Sequence, residues 1–198
     1  FDGMCLAYTP PPPPPPPPQQ PGHEVFSFNE GGCPCIRIPS VLRLGNSGRL
    51  LAVAECRGTS GVGDDCSPSN YSPNNYNITR GELWVKVSSD NGRTWGQLQR
   101  NLSRVAVYRT CNPLLVWDRI TSRAILHFNQ LGPFGPEVWQ MLTIDGVTWT
   151  SPRNLTGQLA QLSPRRDYSC PGPGLAVQLK SGRIIVPLYK PHCGLCVG

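Results

Sequence analysis

Charge is scarce in this chain: lysine, arginine, aspartate and glutamate make up only 15% of its 198 residues. The net charge of +6 is scattered, with no basic stripe to follow a phosphate backbone, so nucleic acid is not an expected partner. A mildly basic surface suits an acidic substrate such as a sugar acid. Long apolar runs are missing too, and none approaches the roughly 18 residues a membrane span needs. Nor does any segment keep helical spacing over more than about two turns. Punctuation is what the chain has in quantity: 23 prolines and 21 glycines, set among five tryptophans. That mixture suits short strands with many turns better than helices.

The chain opens on Phe1 with no charged and apolar leader, and closes on Cys193-Gly194-Leu195-Cys196-Val197-Gly198 after a strand-like run. Both ends read as cuts, so an internal piece of a longer product is expected. Nine cysteines favour an oxidising compartment. Four sequons point the same way, at Asn70-Tyr71-Ser72 (followed by Pro73), Asn77-Ile78-Thr79, Asn101-Leu102-Ser103 and Asn154-Leu155-Thr156. The expected location is the secretory pathway, extracellular or lysosomal. Cys33-Pro34-Cys35 and His192-Cys193-x-x-Cys196 offer zinc ligands, but the spacing of a four-ligand site is absent. Disulfides or buried thiols are the expectation, and no metal or cofactor is predicted.

Residues 1–24 read as a proline-rich, low-complexity linker. Pro10 to Pro18 is an unbroken proline run, a polyproline II spacer that cannot form a core. Residues 25–198 are strand-like and repetitive. Val41 to Glu55, Leu114 to Asn129 and Leu175 to Tyr189 each read as apolar strand, polar turn, apolar strand, that is, as hairpins. Between them lies a second unit, Glu82 to Trp95 and again Glu137 to Trp149, sharing a D/N-G-x-T-W tail followed by N-L-S/T. Hairpins alternating in this way are produced by radial repetition of four-stranded sheets. The expected fold is all-β, a β-propeller of which about three blades are present.

Ser88-Ser89-Asp90-Asn91-Gly92-Arg93-Thr94-Trp95 matches S-x-D-x-G-x-T-W, the Asp box, at every defined position. Asp90 accepts turn amides, Gly92 supplies a positive φ, Thr94 ties its hydroxyl to the turn, and Trp95 plugs the hairpin from below. The box is a folding device and not a catalyst. A second one reads Leu142-Thr143-Ile144-Asp145-Gly146-Val147-Thr148-Trp149, with Ile144 where the aspartate belongs.

The segment Cys35-Ile36-Arg37-Ile38-Pro39-Ser40 enters the first hairpin oddly. Arg37 reads either as an exposed arginine on an edge strand, with Pro39 blocking pairing, or as a rigid guanidinium fork for a carboxylate.

The ordered set of these motifs resembles the sialidase (exo-α-neuraminidase) family. R-I-P-S precedes the box, Ala54-Glu55-Cys56-Arg57 resembles A-E-x-R, and Cys111-Asn112-Pro113 with Trp117-Asp118 resembles the N-P segment of the next blade. Thr148 to Thr156 is similar to T-W-S-x-P-x-x-L-T. Gly172-Pro173-Gly174, Gln178-Leu179 and Val186-Pro187-x-Tyr189 are similar to the third blade. The resemblance covers roughly residues 25 to 192 and implies the N-terminal half of a six-bladed propeller.

Carried over, Arg37 is the first of three arginines that clamp the sialic acid carboxylate. An acid/base aspartate falls in Gly63-Asp64-Asp65-Cys66, Asp64 by spacing with Asp65 beside it. Arg57 lines the pocket, and Asn112 and Tyr189 are substrate contacts or structural residues. The nucleophilic tyrosine, its glutamate and the other two arginines match nothing in this chain. The implied activity is hydrolysis of terminal sialic acid on glycoproteins, glycolipids or oligosaccharides, with retention. A non-catalytic sialic-acid-binding propeller and another Asp-box protein are the alternatives.

Overall fold

A computed structural model describes residues 22–27, 30–33, 35–57, 81–100, 102, 110–132, 135–162, 169–172 and 176–189. Three antiparallel units follow one another, as the hairpin pattern predicts. The first holds β1 (Ile36–Arg43), β2 (Leu50–Arg57) and β3 (Gly81–Ser88), in that order across the sheet. Gln99 bridges to Val85 outside β3, in the place of a fourth strand. The second is four-stranded: β4 (Thr110–Asp118), β5 (Arg123–Gly132), β6 (Gly135–Thr143) and β7 (Arg153–Asn154). The third pairs β8 (Cys170–Pro171) with β11 (Leu188–Tyr189), and β9 (Val177–Gln178) with β10 (Ile184–Ile185). The one α-helix among the described residues, α1 (Thr156–Ala160), is five residues long. No helix among them is long and apolar enough to cross a membrane.

The main core lies between the first two units. Leu51, Val53, Leu83 and Val85 on one side meet Leu115, Ala124, Leu126, Phe128 and Met141 on the other, all buried. Alternation along each strand produces this, since residues two apart share a face. A smaller cluster of Cys33, Cys56 and Trp84 lies under Phe26, Ile36 and Leu98. There Arg100 stacks over Trp84, while Lys86 sits over the Phe26 ring and pairs with Glu30 at 2.5 Å. The disulfide Cys33–Cys56 closes a 23-residue separation, and Cys35 and Cys170 are disulfide-bonded as well. Loop-closure entropy assigns a bridge of that span about 3 kcal/mol. Disulfides therefore replace the zinc reading at Cys33 and Cys35; His192, Cys193 and Cys196 lie outside the described residues.

The first two units repeat residue by residue. Glu82 accepts the indole N–H of Trp84 at 3.3 Å, and Glu137 accepts that of Trp139 at 3.1 Å. In the first Asp box Ser88 Oγ takes the amide of Gly92 at 2.8 Å, and Asp90 takes the amide and hydroxyl of Thr94 at 2.9 and 2.6 Å. In the second, Thr143 Oγ1 takes the amide of Gly146 at 2.8 Å, and Asp145 takes those of Val147 and Thr148, both at 2.8 Å. Asp145 thus performs the role of Asp90. The expectation that Ile144 displaces the box aspartate is corrected: the aspartate is kept, and the residue missing is the one corresponding to Asn91.

Candidate functional site

The first two units begin with the same defect. In β1 the register slips by one residue between Arg37, opposite Glu55, and Ser40, opposite Val53. In β4 it slips between Cys111, opposite Asn129, and Leu114, opposite His127. Both bulges hold a left-handed residue before a proline: Ile38 at φ 50° before Pro39, Asn112 at φ 52° before Pro113. The third unit has Gly172 at φ 60°, followed in the sequence by Pro173. Proline suits such a break because it has no N–H to leave unpaired. A β-branched residue at positive φ is a strained conformation, on the order of 1–3 kcal/mol, and the residue before proline ordinarily avoids the helical region. R-I-P and N-P, two separate motifs in the sequence, are therefore one backbone device used twice, and Gly172 shares its left-handed residue.

The bulges leave donors that the neighbouring unit satisfies. Asn112 donates its backbone N–H to Glu55 Oε1 at 2.5 Å, and Leu115 donates to Ser40 Oγ at 3.2 Å. Thr110 donates its hydroxyl to the Gly81 carbonyl at 2.8 Å. One unit on the direction is reversed: Asn129, which stands in β5 where Glu55 stands in β2, donates through Nδ2 to the Ser169 carbonyl at 3.2 Å. Asn112 Nδ2 reaches the Tyr189 hydroxyl at 3.1 Å and Asn129 Oδ1 at 3.4 Å. Glu55 and Asn129 are fully buried and Asn112 is 4% exposed. Buried polar groups so connected specify one arrangement of the strands that carry them.

The structure brings Asn112 and Tyr189 into direct contact. Arg37 is half-buried on β1, across from Glu55, which in turn holds Asn112. Arg57 ends β2 opposite Gly81, but its side chain, like Asp64 and Asp65, lies outside the described residues. Glu55, Asn129, Ser40 and Ser169 were not anticipated as members of this junction. Their signal is a polar residue inside an apolar strand, as in Leu51-Ala52-Val53-Ala54-Glu55 and Phe128-Asn129-Gln130. His127, two residues from Asn129 along β5, is held neutral, its pKa pushed down to about 4 by burial. Its Nε2 lies 3.1 Å from the Gln140 side-chain amide. No group of three or more metal-ligating side chains is present among the described residues.

Chemically, the junction places an arginine on a bulged strand, paired across the sheet with the buried Glu55. Such an arginine is suited to bidentate recognition of a carboxylate.

No protein-family model matches the chain. Sialidase-4 of Mus musculus is 30% identical over 174 residues, which is 79% of this chain and 33% of that protein. Sialidase-3 of Rattus norvegicus is 27% identical over 169 residues, 77% of this chain and 37% of its own length. Sialidase-4 of Homo sapiens is 30% identical over 169 residues, 77% and 32% respectively. This chain thus spans about a third of the length of the curated relatives it matches. Among solved structures, the Hadza microbial sialidase Hz136 superposes with a TM-score of 0.61 at 19% identity, over 78% of this chain and 32% of that one. The NanB sialidase from Streptococcus pneumoniae gives 0.55 at 13%, over 78% and 41%. At those identities the structures speak to the fold alone. Motif order, curated relatives and fold agree: this chain is a partial β-propeller, about three blades, related over most of its length to sialidases.

Proposed function

We propose that the protein containing these blades is an exo-sialidase that removes terminal α-linked sialic acid from glycoproteins, glycolipids or oligosaccharides, with retention. The observation that carries this reading is the 30% identity with Sialidase-4 across four fifths of the chain. In this reading Arg37 is one member of a carboxylate clamp, and its guanidinium offers two parallel N–H donors to the sugar acid. The bulge at Ile38-Pro39 and the Cys33–Cys56 bridge hold its strand against Glu55 before substrate arrives, so that little ordering remains for the binding step. Asp64, with Asp65 as its neighbour in the loop, protonates the leaving glycosidic oxygen and later activates water. Arg57 lines the pocket beside them. Tyr189, fixed through its hydroxyl by Asn112, meets the substrate from the third blade, and Asn112 serves by holding it. The nucleophile, its glutamate and the further arginines are assigned to no residue of this chain.

The test is turnover of sialosides by the protein that carries these blades. Arg37→Ala lowers kcat/KM by on the order of 10²-fold or more, because a charge-paired anchor is lost; near-normal turnover overturns the assignment. Asp64→Asn slows poor leaving groups far more than activated aryl sialosides, and the same pattern at Asp65 moves the acid/base there. Sialoside binding without turnover in the unmutated protein identifies a non-catalytic lectin-like propeller instead.

A further inference from the structure

The second blade ends in a sequon, Asn154-Leu155-Thr156, whose place in the fold is fully described. Asn154 is exposed on β7, the outermost strand, where it pairs with Trp139 of β6. Its Oδ1 accepts the N–H of Thr156 at 2.8 Å, an Asx turn that keeps asparagine and hydroxyl residue together. Among the described residues the Nδ2 bonds the carboxylate of Glu137 at 3.3 Å. A substituted amide nitrogen still carries one hydrogen, so a modification there leaves the Glu137 bond available. Around it, Arg153, Gly157 and Gln158 are exposed as well.

The redox chemistry of the chain supplies the compartment. Cys33–Cys56 is a disulfide, and Cys35 and Cys170 are disulfide-bonded too, the state of proteins made in an oxidising lumen where N-glycosyl transfer takes place. An exposed N-x-T sequon in such a protein meets the requirements of an acceptor. From these observations we infer that Asn154 is N-glycosylated. The amide nitrogen displaces a diphosphate from the anomeric carbon of a lipid-diphosphate-linked oligosaccharide and loses one proton; nothing is oxidised or reduced. β7 stands three strand spacings, about 14 Å, from β4, which carries Asn112. The glycan therefore projects from the rim, clear of the polar junction, and covers the open edge of the four-stranded sheet, an edge that would otherwise be free to pair with another chain. Asn154 carries it whether or not the protein turns over a substrate. Asn70, Asn77 and Asn101 lie outside the described residues.

The experiment is peptide mapping of the full protein, made from its own gene in its own cells, after peptide-N-glycosidase release in heavy-oxygen water. Conversion of Asn154 to labelled aspartate is the expected result. Asn154→Asp preserves the acceptor for the Thr156 amide and should migrate faster than the unmutated protein by one glycan, a difference that enzymatic release abolishes. Thr156→Ser keeps both the sequon and the hydroxyl that receives the Val138 amide, and should stay modified. Recovery of the Asn154 peptide unmodified from the native protein overturns the inference.

Discussion

The two Asp boxes share their hydrogen bonds and differ in what they touch. The first turns back on its own blade: Asn91 donates its N–H to the Gly48 carbonyl and accepts from Arg43, and Gly92 lies over Leu50. The second reaches into the preceding blade. Arg49 donates to the Asp145 carbonyl at 2.8 Å, Gln99 Nε2 to the Gly146 carbonyl at 3.1 Å, and Gly146 sits among Val87, Leu51 and Leu44. One motif is a rim ornament in the first blade and a joint in the second. The second box, from Thr143 to Trp149, is one residue shorter than the first.

The largest expected effect tests that joint. A Cβ at Gly146 would lie 2.7 Å from Val87 Cγ2, at a backbone φ of 76°. Gly146→Ala should cost about 3–4 kcal/mol, summing left-handed strain and overpacking. At Gly92, also left-handed at φ 87°, the nearest atom would be Leu50 Cδ1 at 3.1 Å, and Gly92→Ala should cost about half as much. Urea denaturation of both variants measures the gap; equal losses would erase the distinction. Adding Val87→Ala to Gly146→Ala should recover part of the loss, because the clash is with that methyl.

Next in size is the turn length. Inserting an asparagine between Asp145 and Gly146 restores the eight-residue box and should destabilise by about 2–3 kcal/mol, through the lost Arg49 and Gln99 bonds and the displaced turn. Deleting Asn91 from the first box should cost less than 1 kcal/mol or so, since it removes contacts within one blade. Thermal melting that ranks the two the other way would place the joint elsewhere.

The smallest effect is acidic. Thr94, through hydroxyl and amide, and then Ser88 hold Asp90 down to about 2. Its folded pKa lies below its unfolded value of about 3.9, so its contribution is complete above pH 4 and drains away as pH falls from about 4 towards 2. Asp90→Asn should flatten the stability profile in that window, with its loss of stability largest near neutrality, where the carboxylate contributes fully, and fading towards about pH 2. A slope that persists in the variant would assign it to other carboxylates.

Much of this fold can be read from the sequence because hairpins announce themselves twice, through alternation and through turn residues. The Leu114 to Asn129 hairpin is one example, and the shared D/N-G-x-T-W tail another. The position of Asp145 is harder. A fixed eight-residue spacing puts Ile144 opposite Asp90, and only the hydrogen-bond roles show that the gap falls after the aspartate. The junction is harder still. Arg37 and Asn112 stand out as motif residues, but nothing in their side chains announces that Ile38, Asn112 and Gly172 share a backbone conformation; the following proline is their only common letter. Glu55 is visible as a letter in A-E-x-R, whereas its task, receiving an amide freed by a bulge in the neighbouring blade, depends on a partner 57 residues away.

The repeated bulge has a consequence for how such a protein can change. Arg37, Cys111 and Pro171 stand at the same station of three successive blades, each just before the left-handed residue. The chain path there is set by the bend and the proline, and owes little to the side chain displayed. In the first two blades a guanidinium and a thiol are each mounted on it without rerouting a strand. The propeller thus behaves as a set of interchangeable sockets, in which new chemistry arrives by a single substitution while topology stays as it was.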